Sequence, residues 1–139
     1  MWIFYAILAA IFASLVAILA KIGIEGIDSN LATAIRTVVV LIFTWVIVFL
    51  TVPLDSVKTM TAKNWIFLVL SGIATGLSWL CYFRAVQLGD VSRVTPIDKM
   101  SVALTILLAF IILGEKASLH VIIGGSLIVA GSLVVIFWE

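Results

Sequence analysis

Long apolar runs, separated by short breaks rich in charged residues, dominate the pattern of this chain. Five runs are each long enough to cross a bilayer as a helix, which takes about 20 residues. They fall at residues 2–20, 30–52, 64–83, 94–113 and 119–138. None alternates polar and apolar residues as a transmembrane barrel strand does. The pattern predicts an all-α polytopic membrane protein with five transmembrane helices and short loops.

The composition excludes a water-facing globular domain. Of the 139 residues, 65% are hydrophobic and 11% are charged, whereas soluble domains have about 45–50% apolar and about 25% charged residues. The net charge of +1 gives no electrostatic basis for binding nucleic acid. The single cysteine, Cys81, and the single histidine, His120, form no zinc or disulfide pattern, so we predict no metal and no cofactor. No catalytic or phosphate-loop motif is present either, which predicts that the chain is not an enzyme.

One face of the third predicted helix is polar. Ser71, Thr75, Ser78 and Tyr82 follow helical spacing, and Trp79 lies beside them. Hydroxyls in a membrane helix either bond to their own or a neighbouring helix, or they line a solute cavity. We interpret this stripe as a cavity lining.

Charged side chains also lie inside the predicted spans. Arg36 is on the second helix, and Asp98 and Lys99 are on the fourth, close to Thr95. A charge near the centre of a membrane helix costs about 2.5–3.5 kcal/mol on insertion scales. A structural explanation, in which Asp98 pairs with Arg36, Arg84 or Lys99, stays open beside a functional one, an aqueous vestibule. On the functional interpretation, the substrate-binding residues are Arg36, Ser71, Thr75, Ser78, Trp79, Tyr82, Thr95, Asp98 and Lys99.

Small residues predict surfaces for helix packing. Gly72 and Gly76 form a GxxxG pair in the third helix, while Gly124, Gly125 and Gly131 give the fifth helix a smooth face. Small side chains allow membrane helices to approach closely. We expect both faces to pack against other helices, and the fifth to pack between two copies of the chain.

Three stretches of the chain, in a fixed order, carry motifs of a known family. They are Lys21-Ile-Gly through Asp28 to Arg36-Thr37, then Tyr82 to Ser101, and then Leu113 to Lys116 followed by Gly125 to Gly131. Together they resemble the EamA-like family of the drug/metabolite transporter superfamily. The resemblance covers nearly the whole chain and corresponds to a single five-helix repeat. Most members of the family have ten helices in two such repeats, related by inversion.

The resemblance implies a secondary transporter of small metabolites or drugs in the cytoplasmic (inner) membrane of a prokaryote. Residues 1–139 would form a single five-helix domain, half of an inverted-repeat bundle. Alternating access in such carriers requires two units of opposite orientation. We therefore expect an antiparallel homodimer or a paired half-size subunit. The alternatives are a non-transporting membrane subunit and a lipid-carrier flippase subunit, each working with a partner.

The distribution of charged residues does not determine the orientation of the chain in the membrane, but it indicates which charge the solute carries. If Arg36 and Lys99 belong to the membrane interior, each side carries three basic residues, which permits dual topology under the positive-inside rule. These are Lys58, Lys63 and Lys116 on one side, and Lys21, Arg84 and Arg93 on the other. The first span also lacks the glutamate by which the related small multidrug exporters bind cations. We expect anionic or zwitterionic solutes, with Trp79 and Tyr82 contacting an apolar part.

Overall fold

The structure, a computed structural model, describes residues 1–116 and 118–137. These residues form six α-helices and a 3-10 turn at Leu54–Thr59, and they include no strand. The helices are α1 (Trp2–Gly23), α2 (Ser29–Thr51), α3 (Ala62–Leu88), α4 (Val91–Asp98), α5 (Ser101–Ile112) and α6 (Leu119–Phe137). Because α4 and α5 together make one span, five spans are long and apolar enough to cross a membrane. The prediction of an all-α protein with five spans is confirmed, although the predicted end of the fifth span at Trp138 lies outside the described residues.

Helix α3 continues beyond the predicted boundary of the third span. The apolar run ends at Phe83, but the helix extends to Leu88. Its last turn is held by side chains, because Arg84 Nη1 donates to Gln87 Oε1 at 2.7 Å and Gln87 Nε2 donates to the Ile27 carbonyl at 2.7 Å. An apolar run indicates the depth of the hydrocarbon, whereas a helix ends where its carbonyls find other partners. The connection to the fourth span is therefore much shorter than the sequence pattern predicts.

The fourth span is broken, although its apolar pattern predicts one continuous helix. Pro96 lies inside α4 and brings no amide hydrogen. The amide of Lys99 is shared between the carbonyls of Thr95, at 3.2 Å, and Pro96, at 3.1 Å. A hydrogen bond from an amide to the carbonyl three residues earlier tightens the backbone towards 3-10 geometry. Asp98 and Lys99 consequently lie at a break within a membrane span.

The start of α2 and the end of α3 are fixed on the same side by polar contacts. The Asp28 side chain caps α2 and accepts hydrogen bonds from the amides of Asn30, at 2.8 Å, and Leu31, at 3.2 Å. Lys21 Nζ donates to the carbonyl of Val86 at 2.7 Å, one of the last carbonyls of α3, which lack partners within the helix. The Asp28 cap thus fixes where α2 begins, and the Lys21 bond joins the end of α1 to the last turns of α3.

The chain divides into two compact units. The central unit is Leu19–Gln87, and the terminal unit combines Met1–Ile18 with Leu88–Glu139. The core of the central unit consists of Ala20, Ile24 and Phe83, with Ala32, Trp79 and Tyr82 packed against it. In the described part of the terminal unit, α6 packs against both α4 and α5.

Little of each span is covered by the chain itself. Between 0% and 11% of the residues in the apolar stretches of the five spans are buried. Lipid or another protein chain must therefore cover most of the apolar surface.

Candidate solute-binding site

Arg36 lies in the membrane-spanning part of the central unit. It is the eighth residue of α2, about 10 Å along the helix from Ser29. Its guanidinium carbon Cζ lies 4.1 Å from the centroid of the Phe83 ring and 5.5 Å from that of Trp79. Both distances are within the range of cation–π contacts, which extends to about 6 Å. The one basic side chain of α2 thus contacts two aromatic side chains of α3.

The Arg36 guanidinium makes no hydrogen bond or ion pair with any described residue. Its Nη1 atom is buried and has no partner, and neither α2 nor α3 contains an aspartate or glutamate. Tyr82 interacts with it electrostatically. A buried donor left without an acceptor costs about 1–3 kcal/mol, and more when it is charged. Arg36 is therefore a membrane-embedded cation without a counter-charge on its own or the adjoining helix.

The aromatic part of the predicted α3 stripe belongs to this site. Trp79 and Tyr82 are partly buried and pack against the core around Phe83. The Tyr82 and Phe83 rings meet edge to face, with centroids 5.4 Å apart, an arrangement that aromatic quadrupoles favour. The structure brings Trp79 and Tyr82 to the neighbourhood of Arg36.

The hydroxyl part of the stripe lies on an open face of α3. Ser71, Thr75 and Ser78 are exposed. Thr75 Oγ1 donates to the Ser71 carbonyl at 2.8 Å, which is the local bonding that the sequence left open as an alternative. Ser71 and Ser78 donate no side-chain hydrogen bond to the described residues. None of these three hydroxyls is hydrogen-bonded to Arg36.

The remaining predicted site residues belong to the terminal unit. Lys99 Nζ lies 3.2 Å from Asp98 Oδ2, and both side chains are partly exposed. Of the pairings considered for Asp98, the structure shows the one with Lys99. Thr95 is half-buried on α4. Ser132 of α6 donates its hydroxyl to the Pro96 carbonyl at 2.7 Å, which joins α6 to α4 close to the break.

The predicted packing glycines differ in what surrounds them. A Cβ atom added to Gly125 would lie 2.8 Å from Ile106 Cδ1, so α5 and α6 approach closely there. A groove of about 470 Å³ with largely apolar walls runs beside this contact. A Cβ atom would meet nothing within 4 Å at Gly72, Gly76, Gly124 or Gly131. Their contacts with a second chain stay a prediction.

Two residues that shape these sites escaped the sequence patterns. Phe83 contacts Arg36, and its four-residue spacing from Trp79, which puts both rings on one face of α3, was the available signal. Ser132 bonds to a backbone carbonyl 36 positions away. No side-chain pattern marks such a bond.

The fold and the embedded charges define a polytopic membrane protein with ionisable groups inside its spans. A sequence profile of the EamA-like transporter family matches residues 1–137, and the chain belongs to that family. An "uncharacterized transporter in cobO 3'region" of Sinorhizobium sp is 46% identical over 132 residues, which are 95% of this chain and 94% of the relative. No solved structure matches the chain. The chain is therefore a multi-pass membrane transporter, a class that handles small solutes in a lipid bilayer, and its family points away from enzyme chemistry.

Proposed function

We propose that the chain is a secondary carrier of small metabolites or drugs that works by alternating access. The observation that carries this proposal is Arg36, a cation inside a span whose buried Nη1 has no acceptor. Ionisable groups at membrane depth are expensive and mark solute or ion pathways. An acidic group on a solute would supply the missing acceptor, so the carrier would prefer anionic or zwitterionic solutes.

In this proposal, the aromatic cluster and the hydroxyl face have different tasks. Arg36, Trp79 and Tyr82 hold the acidic group and the adjoining apolar part of the solute. Ser71, Thr75 and Ser78 give α3 a polar surface along which a solute can exchange hydrogen bonds. Thr95, Asp98 and Lys99 remain proposed solute contacts, because broken membrane helices line the binding sites of inverted-repeat carriers.

The carrier would function as an antiparallel homodimer of five-helix domains, each formed by residues 1–139. Alternating access needs two units of opposite orientation, and the balanced basic residues outside the apolar runs of the sequence allow both orientations. At Gly72, Gly76, Gly124 and Gly131, an added Cβ atom would meet nothing within 4 Å among the described residues, so these positions offer surfaces for the second copy. The proposed location is the cytoplasmic membrane of a prokaryote.

Transport is tested with the purified chain in liposomes, by measuring uptake of a panel of organic acids, amino acids and quaternary amines. We expect uptake of acids or amino acids, and we expect Ser78→Leu and Tyr82→Leu to reduce it while the helical content is unchanged. Leu77→Ile, on the exposed apolar face of α3, is the matched control. No uptake by any of these proteins would favour a non-transporting subunit, and uptake of quaternary amines alone would contradict the charge preference.

The antiparallel arrangement is tested separately with a reporter fused after Glu139. Equal signals from both faces of the membrane are the expected result. A signal from one face alone would contradict the dual topology but leave the transport activity in place.

A further inference from the structure

We propose that the solute recognised at Arg36 is an organic monocarboxylate with a flat apolar body and no ammonium group. Amino acids and phosphate monoesters are the excluded classes. This inference rests on the proposed function, because it takes the solute to be the acceptor that Arg36 lacks. It goes further by deriving the solute's charge and shape from the residues around the guanidinium.

The charge of the solute follows from the positive charge of Arg36, which lies within the apolar run of the second span. Arg36 supplies one positive charge, and neither α2 nor α3 has an acidic residue to offset it. The carboxylate of Asp98 already faces Lys99 at 3.2 Å. A monoanion would bring the charge at Arg36 to zero, whereas a phosphate dianion would leave one negative charge in a medium that solvates it poorly.

The same accounting argues against an ammonium group on the solute. The ammonium of an amino acid would need a carboxylate of its own, and the spans offer only one that is already paired. A second copy of the chain would bring the same residues, so a dimer would add no unpaired carboxylate within the spans. An amino acid bound at Arg36 would therefore carry an unpaired cation into the site.

The shape of the solute follows from the aromatic contacts of the guanidinium. The centroid of the Phe83 ring lies 4.1 Å from Cζ, a distance at which a ring can pack on the face of a guanidinium, whose N–H groups lie in its own plane. A planar carboxylate can accept two parallel N–H bonds in that plane. Trp79 and Tyr82, both partly buried in the same cluster, offer ring surfaces against which a flat apolar body can pack.

Four probes that share a phenyl ring separate the charge classes. They are 3-phenylpropanoate, L-phenylalanine, 2-phenylethylamine and phenyl phosphate. Binding is measured by isothermal titration to the full chain in lipid nanodiscs. We expect 3-phenylpropanoate to bind about 10- to 100-fold more tightly than each of the others. Equal or tighter binding of L-phenylalanine or phenyl phosphate, or no binding of 3-phenylpropanoate, would overturn the proposal.

Variants then assign the binding to Arg36. Arg36→Gln should weaken binding of 3-phenylpropanoate by about 10- to 100-fold, and Arg36→Lys, which keeps the charge but not the planar donor pair, should fall in between. Arg84→Gln is the control, since the Arg84 guanidinium already bonds to Gln87. Unchanged affinity in a folded Arg36→Gln protein would refute the assignment. If that protein does not fold, an Arg36→Lys affinity equal to that of the unaltered chain would refute it instead.

The experiments distinguish a wrong monocarboxylate inference from a wrong carrier proposal. If the liposome panel shows transport of amino acids or amines, the carrier stands and the monocarboxylate inference is wrong. If 3-phenylpropanoate binds with the expected selectivity but crosses no liposome membrane, recognition stands and the carrier proposal is wrong.

Discussion

The central and terminal units treat charge inside the membrane in opposite ways. In the central unit, Arg36 rests on aromatic rings and has no acidic residue on α2 or α3. In the terminal unit, Lys99 lies 3.2 Å from Asp98, its neighbour in sequence. A pair of opposite charges needs nothing from outside, while a single charge is completed by a group that the helix does not supply. This difference in charge balance is the reason for proposing Arg36, and not the Asp98–Lys99 pair, as the group that needs a solute.

The two units also differ in how their helices are joined. In the terminal unit, the joints are tight and local: Gly125 admits Ile106, and Ser132 bonds to Pro96. In the central unit, α2 meets α3 through a guanidinium that lies against aromatic rings. The terminal unit therefore has the features of a packing element, and the central unit those of a recognition element.

Replacing Arg36 with leucine would have the largest effect and would separate function from stability. We expect loss of about 100-fold in uptake of the transported acid, because a solute anion loses its charged partner. The empty protein should become more stable by about 1 kcal/mol, because removing an uncompensated cation from the membrane outweighs the loss of the cation–π contacts. Uptake in liposomes and unfolding in mixed micelles measure the two quantities. Lower stability together with normal uptake would mean that Arg36 is a structural residue.

Breaking the charge pair of the terminal unit should give the reverse result. Asp98→Ala leaves Lys99 unpaired in the fourth span, and we expect a loss of about 1–2 kcal/mol in the free energy of unfolding, moderated by the partial exposure of both side chains. The double variant Asp98→Asn/Lys99→Gln should recover most of that loss. If the double variant stays as unstable as Asp98→Ala, the two side chains do more than neutralise each other, and the prediction is wrong.

The packing character of the terminal unit is tested at adjacent glycines. Gly125→Leu should reduce the free energy of unfolding by about 1–3 kcal/mol. A Cβ atom at this position would lie 2.8 Å from Ile106 Cδ1, so the leucine side chain must displace that of Ile106. Gly124→Leu, where a Cβ meets nothing within 4 Å, should cost less than half as much in monomeric protein. Equal losses at both positions would show that the α5–α6 contact is not specific.

The hydrogen bond between α6 and α4 should contribute the smallest effect. Ser132→Ala removes the donor to the Pro96 carbonyl, and bonds of this kind in membrane proteins contribute about 0.6 kcal/mol on average. Ser126→Ala, on an exposed position of the same helix, provides the baseline in the same unfolding measurement. A loss above about 2 kcal/mol would show that Ser132 determines the geometry of the break itself.

The fold was accessible from the sequence because apolar runs of about 20 residues have few alternatives in lipid. Every predicted span corresponds to a helix or, in the fourth, to two. The break at Lys99 was not predicted. Pro96 alone permits either a kink or a continuous helix, and the shared bonds of the Lys99 amide, which define the break, involve backbone groups that no side-chain pattern reports.

The candidate site was accessible only in part. Charge at membrane depth identified Arg36, and the polar stripe of the third helix identified Tyr82 with Trp79 beside it. Their proximity to Arg36 was not predicted. Phe83, which makes the closest ring contact, looks in sequence like any other lipid-facing residue. The pairing of Asp98 with Lys99 was one of several options, because spacing along a helix restricts contacts without choosing between helices.

The threonines of α2 affect how this helix enters the membrane during synthesis. Thr33, Thr37, Thr44 and Thr51 each donate to the carbonyl four residues earlier, at 2.7–2.8 Å. Their hydroxyls are thus hydrogen-bonded within α2 itself and need no neighbouring helix. The translocon therefore receives a segment that is less polar than its residue types indicate. Arg36 remains the main obstacle to insertion, because α2 precedes α3, the helix that carries Trp79 and Phe83, along the chain. During insertion of this chain, the segment around Arg36 should therefore depend more on anionic lipid than any other segment does, because an anionic headgroup can pair with the guanidinium.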